Sequence, residues 1–123
     1  MKTYRVAVVG VAHMHILDVV KGFIPLSDRV EWVGAADVTG PFTTQGTKPS
    51  THRANMAELL KLCGLGAPWE DWRKLLDQKP DMVLVYCENV YHHEVARAAL
   101  ERGIHVVMEK PMAMTLAQAL DIE

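Results

Sequence analysis

Residues 5–15 read RVAVVGVAHMH, and the interpretation of the whole chain starts from them. Val6 to Val9 is a short apolar run without charge, which suits a buried strand of a parallel sheet. Gly10 breaks the run. Ile16, Val19, Val20 and Phe23 then fall at i, i+3, i+4 and i+7, one apolar face of a helix that Pro25 ends. Strand, glycine turn and helix together open a dinucleotide-binding unit, where backbone N–H groups and the positive helix end receive a pyrophosphate. The full fingerprint has glycine again two and five residues later. This chain has Ala12 and His15 there. Ala12 adds one methyl group, and His15 is the larger departure. A single glycine in a βα turn also occurs where nothing binds.

Further elements follow in alternation. Val30 to Ala36 reads as a second strand ending at Asp37. Residues 38–49 read as a loop, with Gly40, Pro41, Gly46 and Pro49. Ser50 or Thr51 can cap a helix that buries Ala54, Leu59, Leu60 and Cys63 and stops at Gly64 and Gly66. Trp69 and Trp72 flank a short helix through Leu75 and Leu76. Met82 to Tyr86 is a strand. Val95, Ala98 and Ala99 mark a helix ended by Gly103, Ile104 to Met108 the next strand, and Thr115 starts a last helix. Strands alternating with helices predict βαβ units with right-handed crossovers. The expected fold is α/β, a doubly wound parallel sheet spanning residues 1–123 as one domain. Its third strand is missing from the pattern unless Ala67 and Pro68 supply a very short one.

Composition excludes several classes. Half of the 123 residues are hydrophobic and 23% are charged, enough apolar material for a core. A formal net charge of −2 with no basic run gives no electrostatic reason for a nucleic-acid or anionic-membrane partner. No apolar stretch approaches the roughly 18 residues of a membrane span. Met1, Lys2 and Arg5 before an apolar run mimic a signal peptide, but Gly10 and His13 interrupt it and no clean cleavage site follows. Cys63 and Cys87 lack CxxC or metal spacing and read as reduced core residues, consistent with a cytoplasmic protein.

Two positions strengthen the nucleotide reading. Asp37 ends the second strand, where an acidic residue about 20 residues beyond the glycine turn accepts from ribose hydroxyls. A carboxylate there repels a 2′-phosphate, favouring NAD over NADP. By position alone, capping of the following loop explains Asp37 nearly as well. Lys110 sits just past a buried strand, at the end of the sheet where ligands bind in open α/β folds. From there it could exchange a proton with an alcohol; a plain surface lysine is the simpler alternative. The histidine pairs His13/His15 and His92/His93 could supply zinc ligands only if both loops converged. Neither pair has a recognised zinc spacing, and His13 and His15 should diverge at a helix start, so no metal is assigned.

The combination resembles the N-terminal half of the Gfo/Idh/MocA oxidoreductases. YRVAVVG looks like that family's first strand and VEWVGAADV like its second with the acidic ribose reader. KPDMVLVYCENVYHHEVARAALERGIHVVMEKPMAMTLAQA is similar to its most diagnostic run. There His92 matches the histidine before the helix, Asn89 the usual asparagine, and Glu109, Lys110 and Pro111 the EKP motif. The resemblance implies a Rossmann domain that binds NAD, with NADP the lesser alternative. It implies catalytic roles for Lys110 and His92. It places Gly10, Ala12, His13, Met14, Asp37, Cys87, Glu88, Asn89, His92, Glu109 and Lys110 at the cofactor. The implied reaction is hydride transfer to or from a sugar- or cyclitol-like hydroxyl or ketone. A non-catalytic nucleotide-binding or regulatory module is the alternative. Cys87-Glu88 departs from the Thr-Pro common in the family and puts a negative charge near the cofactor. The family's second α+β substrate domain is absent, so the chain reads as a fragment, inactive alone. Its uncovered sheet edge makes a homo-oligomer possible.

Overall fold

The computed structural model describes residues 1–41 and 48–123. Strands β1 (Tyr4–Val9), β2 (Val30–Ala36), β3 (Met82–Val85) and β4 (His105–Met108) form a parallel sheet in the order β2-β1-β3-β4. Helices α1 (His15–Phe23), α2 (Pro49–Cys63), α3 (Trp72–Asp77), α4 (His92–Leu100) and α5 (Leu116–Ile122) connect and cover it. The chain leaves β1 toward β2 on one side and returns past β1 to β3 on the other. That reversal opens a crevice at the carboxyl ends of β1 and β3.

The period of two along β1 explains the two-sided core. Val6 and Val8 face α1 and α2, packing with Ile16, Val20, Met56 and Leu59. Ala7 and Val9 face α3 and α4, packing with Leu75, Leu76, Val95 and Ala99. Because both faces of the strand are covered, its sequence shows no polar alternation.

Several local expectations are corrected. Pro25 does not stop the chain's helical path at once: Ile24–Leu26 continue it as a 3-10 turn. Helix α2 starts at Pro49, with Lys48 at its N-cap and no side-chain cap, so Ser50 and Thr51 lie inside the helix. Pro49 needs no N–H at the first turn, which makes it the natural start. The buried face of α2 is His52, Asn55, Met56 and Leu59, while Ala54 is exposed. Gly64 ends it in the left-handed conformation. The third strand shrinks to a single bridge between Ala36 and Trp69, one residue beyond Ala67 and Pro68. The middle of the 38–49 loop, Gly46 included, lies outside the described residues. Thr115 caps α5 as expected, its hydroxyl accepting from the Gln118 N–H at 3.2 Å. Leu116 and Leu120 on α5 are exposed. None of the described helices is long and apolar enough to cross a membrane.

Candidate functional site

The turn after β1 is fixed from three directions. Gly10 has φ +93°, and a Cβ built on it would lie 2.2 Å from the Cys87 backbone nitrogen and 2.4 Å from Cys87 Cα. The first glycine is therefore required by the close passage of the chain leaving β3, before any ligand is considered. Gly10 donates to the Ala36 carbonyl at 2.7 Å, and the N–H groups of Ala12 and His13 donate to the Tyr86 carbonyl at 3.0 and 3.4 Å. Asn55, buried on α2, donates its amide to the Val11 carbonyl at 2.9 Å. Neither Ala12 nor His15 obstructs this geometry: Ala12 is half-buried and His15 begins α1 with its ring exposed.

Asp37 follows β2 and faces this turn. Its Oδ1 accepts from the N–H groups of Val38 at 2.9 Å and Val11 at 3.4 Å. Its Oδ2 lies 2.6 Å from His52 Nδ1, and the other ring nitrogen of His52 lies 2.9 Å from Glu88 Oε1. Asp37, His52 and Glu88 form a row, with the His52 and Glu88 side chains almost fully buried. Asp37 thus caps the loop and also keeps lone pairs for a ligand, since each carboxylate oxygen has two. Beside it lies a cavity of about 440 Å³ lined by Asp37, His52, Arg53, Met56, Leu60 and Trp69, among others. The lining sets the Asp37 and Glu70 carboxylates and the Arg53 guanidinium around the apolar surfaces of Met56, Leu60 and Trp69.

Glu88 is buried. Its carboxylate packs against His52, with Oε1 2.9 Å from Nε2. Burial raises the Glu88 carboxyl above its ordinary range and Asp37 adds to this, while a backbone N–H and His52 oppose it without prevailing. A carboxyl raised on folding holds a proton that the unfolded chain has released. Stability therefore falls as pH rises from the ordinary carboxylate value through the raised one. Glu88→Gln is expected to leave the chain more stable than the parent at pH 7. The difference should vanish near pH 4, where both forms are neutral. Paired urea melts at the two pH values read this directly; a variant less stable at pH 7 contradicts it.

The end of β4 supplies the opposite wall. Lys110 is exposed there, and the Lys110–Pro111 peptide is cis. Glu109 Oε1 accepts from the Lys110 N–H at 3.0 Å, and Oε2 lies 2.7 Å from His15 Nδ1 and 3.6 Å from His13 Nδ1. Burial opposes charge on Glu109, but the His15 hydrogen bond, the Lys110 N–H and the two imidazoles outweigh it, and its carboxyl sits below the ordinary range. The expected divergence of His13 and His15 is corrected. His13 precedes the N-cap Met14, so the two residues do not share a helix, and their ring centroids are 4.1 Å apart.

His92 is fully buried at the start of α4. Its Nδ1 lies 2.6 Å from the Pro111 carbonyl and its Nε2 3.0 Å from the Cys87 carbonyl. Both nitrogens face backbone rather than the open edge, because the ring ties the turn after β3 to the turn after β4. Cys87 is likewise in the core beneath Gly10, and burial pushes its thiol up. Met14 and Asn89 are exposed on the crevice loops. His93 pairs with Asp121 at 2.7 Å, away from the other histidines of the edge. Sequence reasoning missed His52 and Asn55. Their signal was present: His52, Asn55, Met56 and Leu59 share the i, i+3, i+4, i+7 spacing, with the polar pair at the crevice end.

Comparison with known proteins agrees with this architecture. The family model described as "Oxidoreductase family, NAD-binding Rossmann fold" matches residues 4–122. D-glucoside 3-dehydrogenase of Escherichia coli (strain K12) is 45% identical over 60 residues, covering 48% of this chain and 17% of that protein. Biliverdin reductase from Synechocystis sp. PCC 6803, solved with biliverdin and NADP+, superposes with a TM-score of 0.70 at 27% identity. The match covers 97% of this chain and 33% of that one. The WlbA dehydrogenase from Bordetella pertussis, solved with NADH and UDP-GlcNAcA, shares the fold with a TM-score of 0.74 at 20% identity, covering 99% of this chain and 32% of that one. The chain thus spans about a third or less of these relatives. By its sequence and its doubly wound sheet, the chain belongs to the Gfo/Idh/MocA oxidoreductase family, as an NAD-binding Rossmann domain.

Proposed function

We propose that the chain is the cofactor-binding part of a nicotinamide-dependent oxidoreductase acting on a sugar- or cyclitol-like hydroxyl or ketone. The observation that carries this is the cavity beside Asp37, on the same sheet edge as Lys110. Met56 and Trp69 would hold the adenine, and Asp37, oriented by His52, would accept from the ribose. The Asp37 carboxylate favours NAD over the 2′-phosphorylated form. Bound there, the nicotinamide would supply the hydride donor or acceptor. Lys110 would hold or move a proton between its Nζ and the substrate oxygen. His92 acts as a positioning residue through the carbonyls of Cys87 and Pro111. The chain spans about a third or less of its relatives' length, and its residues would supply the cofactor side of the site. Two free thiols, Cys63 and Cys87, suit a reducing cytoplasm.

A non-catalytic nucleotide-binding module is the second reading. It is favoured by the buried Cys87-Glu88 pair, which stands where the family commonly has Thr-Pro. Titration of the chain with NADH and NADPH, followed by nicotinamide fluorescence, tests both. Saturable binding with NADH preferred at least about tenfold, about 1.4 kcal/mol, is expected. Asp37→Ala should remove most of that preference. A folded chain that binds neither nucleotide overturns both readings. Binding without hydride exchange in the longer protein selects the second.

A further inference from the structure

We propose that His13, His15 and Glu109 form a binding site for a divalent transition-metal ion of the zinc class. The three side chains come from separate places: the turn after β1, the first residue of α1 and the end of β4. Their ligand atoms all lie within 4.8 Å of one another. Glu109 Oε2 is the shared point, 2.7 Å from His15 Nδ1 and 3.6 Å from His13 Nδ1.

Zinc bonds to imidazole nitrogen and carboxylate oxygen are about 2.0–2.2 Å long, so tetrahedral ligands sit roughly 3.4 Å apart. The His13–Glu109 separation already meets that spacing. The His15 contact needs to open by less than about 1 Å, within reach of a side-chain rotation. The donor set also selects the ion. Two imidazoles with one carboxylate suit zinc and its neighbours, whereas magnesium and calcium take oxygen. Three protein ligands leave a fourth position open.

The site is oriented as well as assembled. Glu109 is only 11% exposed in its side chain, and its other oxygen is held by the Lys110 N–H at 3.0 Å. That second contact aims Oε2 at the histidines, as outer partners do for metal ligands. The two imidazoles are 41% and 55% exposed, giving an ion a path from solvent. A simple ion pair would need one histidine, yet two converge on one oxygen. His13 Nδ1 also lies 3.4 Å from the His15 backbone nitrogen, a weak contact that an ion would replace. His92 and His93 are committed elsewhere, to the Pro111 and Cys87 carbonyls and to Asp121, and contribute nothing here.

The proposal needs no bound nucleotide, although His13 and Glu109 are also among the residues that the family resemblance places at the cofactor. Its test is calorimetric titration of tag-free, chelator-stripped protein with Zn2+ alone, with Co2+ as a visible-absorbing substitute. One ion per chain is expected, with intense Co2+ bands of low coordination number. His13→Ala, His15→Ala and Glu109→Gln should each weaken Zn2+ binding by at least about tenfold. Far-ultraviolet circular dichroism checks that these variants stay folded, and the two exposed imidazoles can be removed without opening the core. No saturable binding overturns the site, as does a stoichiometric ion whose affinity is unchanged in both histidine variants. Parallel NADH titrations keep the two readings separate, since loss of nucleotide binding leaves the Zn2+ result standing.

Discussion

Gly10→Ala is expected to destabilise this chain by about 4 kcal/mol or more. The added methyl carbon would sit 2.2 Å from the nitrogen and 2.4 Å from the Cα of Cys87. Both are backbone atoms of the segment leaving β3, so no side chain can swing aside. Relief requires moving the end of β1 away from β3. That movement strains the Gly10 N–H bond to the Ala36 carbonyl at 2.7 Å and the Tyr86 N–H bond to the Val9 carbonyl at 2.9 Å. The residue also has φ +93°, a conformation costing a non-glycine residue about 1–3 kcal/mol. Overpacking adds about 1–3 kcal/mol or more. A total of about 4 kcal/mol or above is a large share of a typical domain's stability of about 5–15 kcal/mol. Gly22→Ala is the control. It lies in α1 with nothing within 4 Å of the new Cβ, and should gain about 0.5–1 kcal/mol. Urea melts of both variants decide the matter. A Gly10→Ala protein within about 1 kcal/mol of the parent would show that the turn is looser than this geometry requires.

That expectation shows what the sequence reveals and what it hides. The βα alternation was legible because buried parallel strands lack polar residues and the covering helices keep a 3.6-residue spacing. Val30–Ala36 appears in the structure with the boundaries the sequence indicates. The glycine fingerprint was a poorer guide. Gly10 is fixed by a backbone 77 residues away in sequence, at Cys87, which no local pattern can announce. The reversal of the His13 and His15 expectation has the same origin. Their convergence depends on where α1 begins and on Glu109 arriving from the far strand. The Asp37, His52 and Glu88 row joins three elements across the crevice. Each residue alone looked like a loop acid, a helix polar residue or a family departure. Only the fold puts them in contact, and only burial gives Glu88 its raised carboxyl.

Lys110→Ala, placed in the longer oxidoreductase, is expected to lower kcat about 10²–10⁴-fold with little change in NADH affinity. The reasoning begins with position. Lys110 follows β4 at the carboxyl edge, where open α/β sheets hold ligands, and it is exposed rather than packed. Its own N–H is tied to Glu109 Oε1, which fixes the backbone from which the side chain extends. An alcohol losing hydride must also lose its hydroxyl proton, and a carbonyl gaining hydride must gain one. An ammonium or amine within reach of that oxygen supplies the exchange, and alanine cannot. Because the side chain is exposed, its removal should alter stability by no more than about 0.5 kcal/mol. The loss should appear in kcat and kcat/KM together, the pattern of a contact made in the transition state. Lys110→Arg separates charge from proton transfer: it keeps the cation but does not release a proton, and so should recover little turnover. If turnover of Lys110→Ala stays within about threefold of the parent, less than 1 kcal/mol, the proton passes through another group. An NADH titration that shows the same drop as kcat would instead assign Lys110 to cofactor binding.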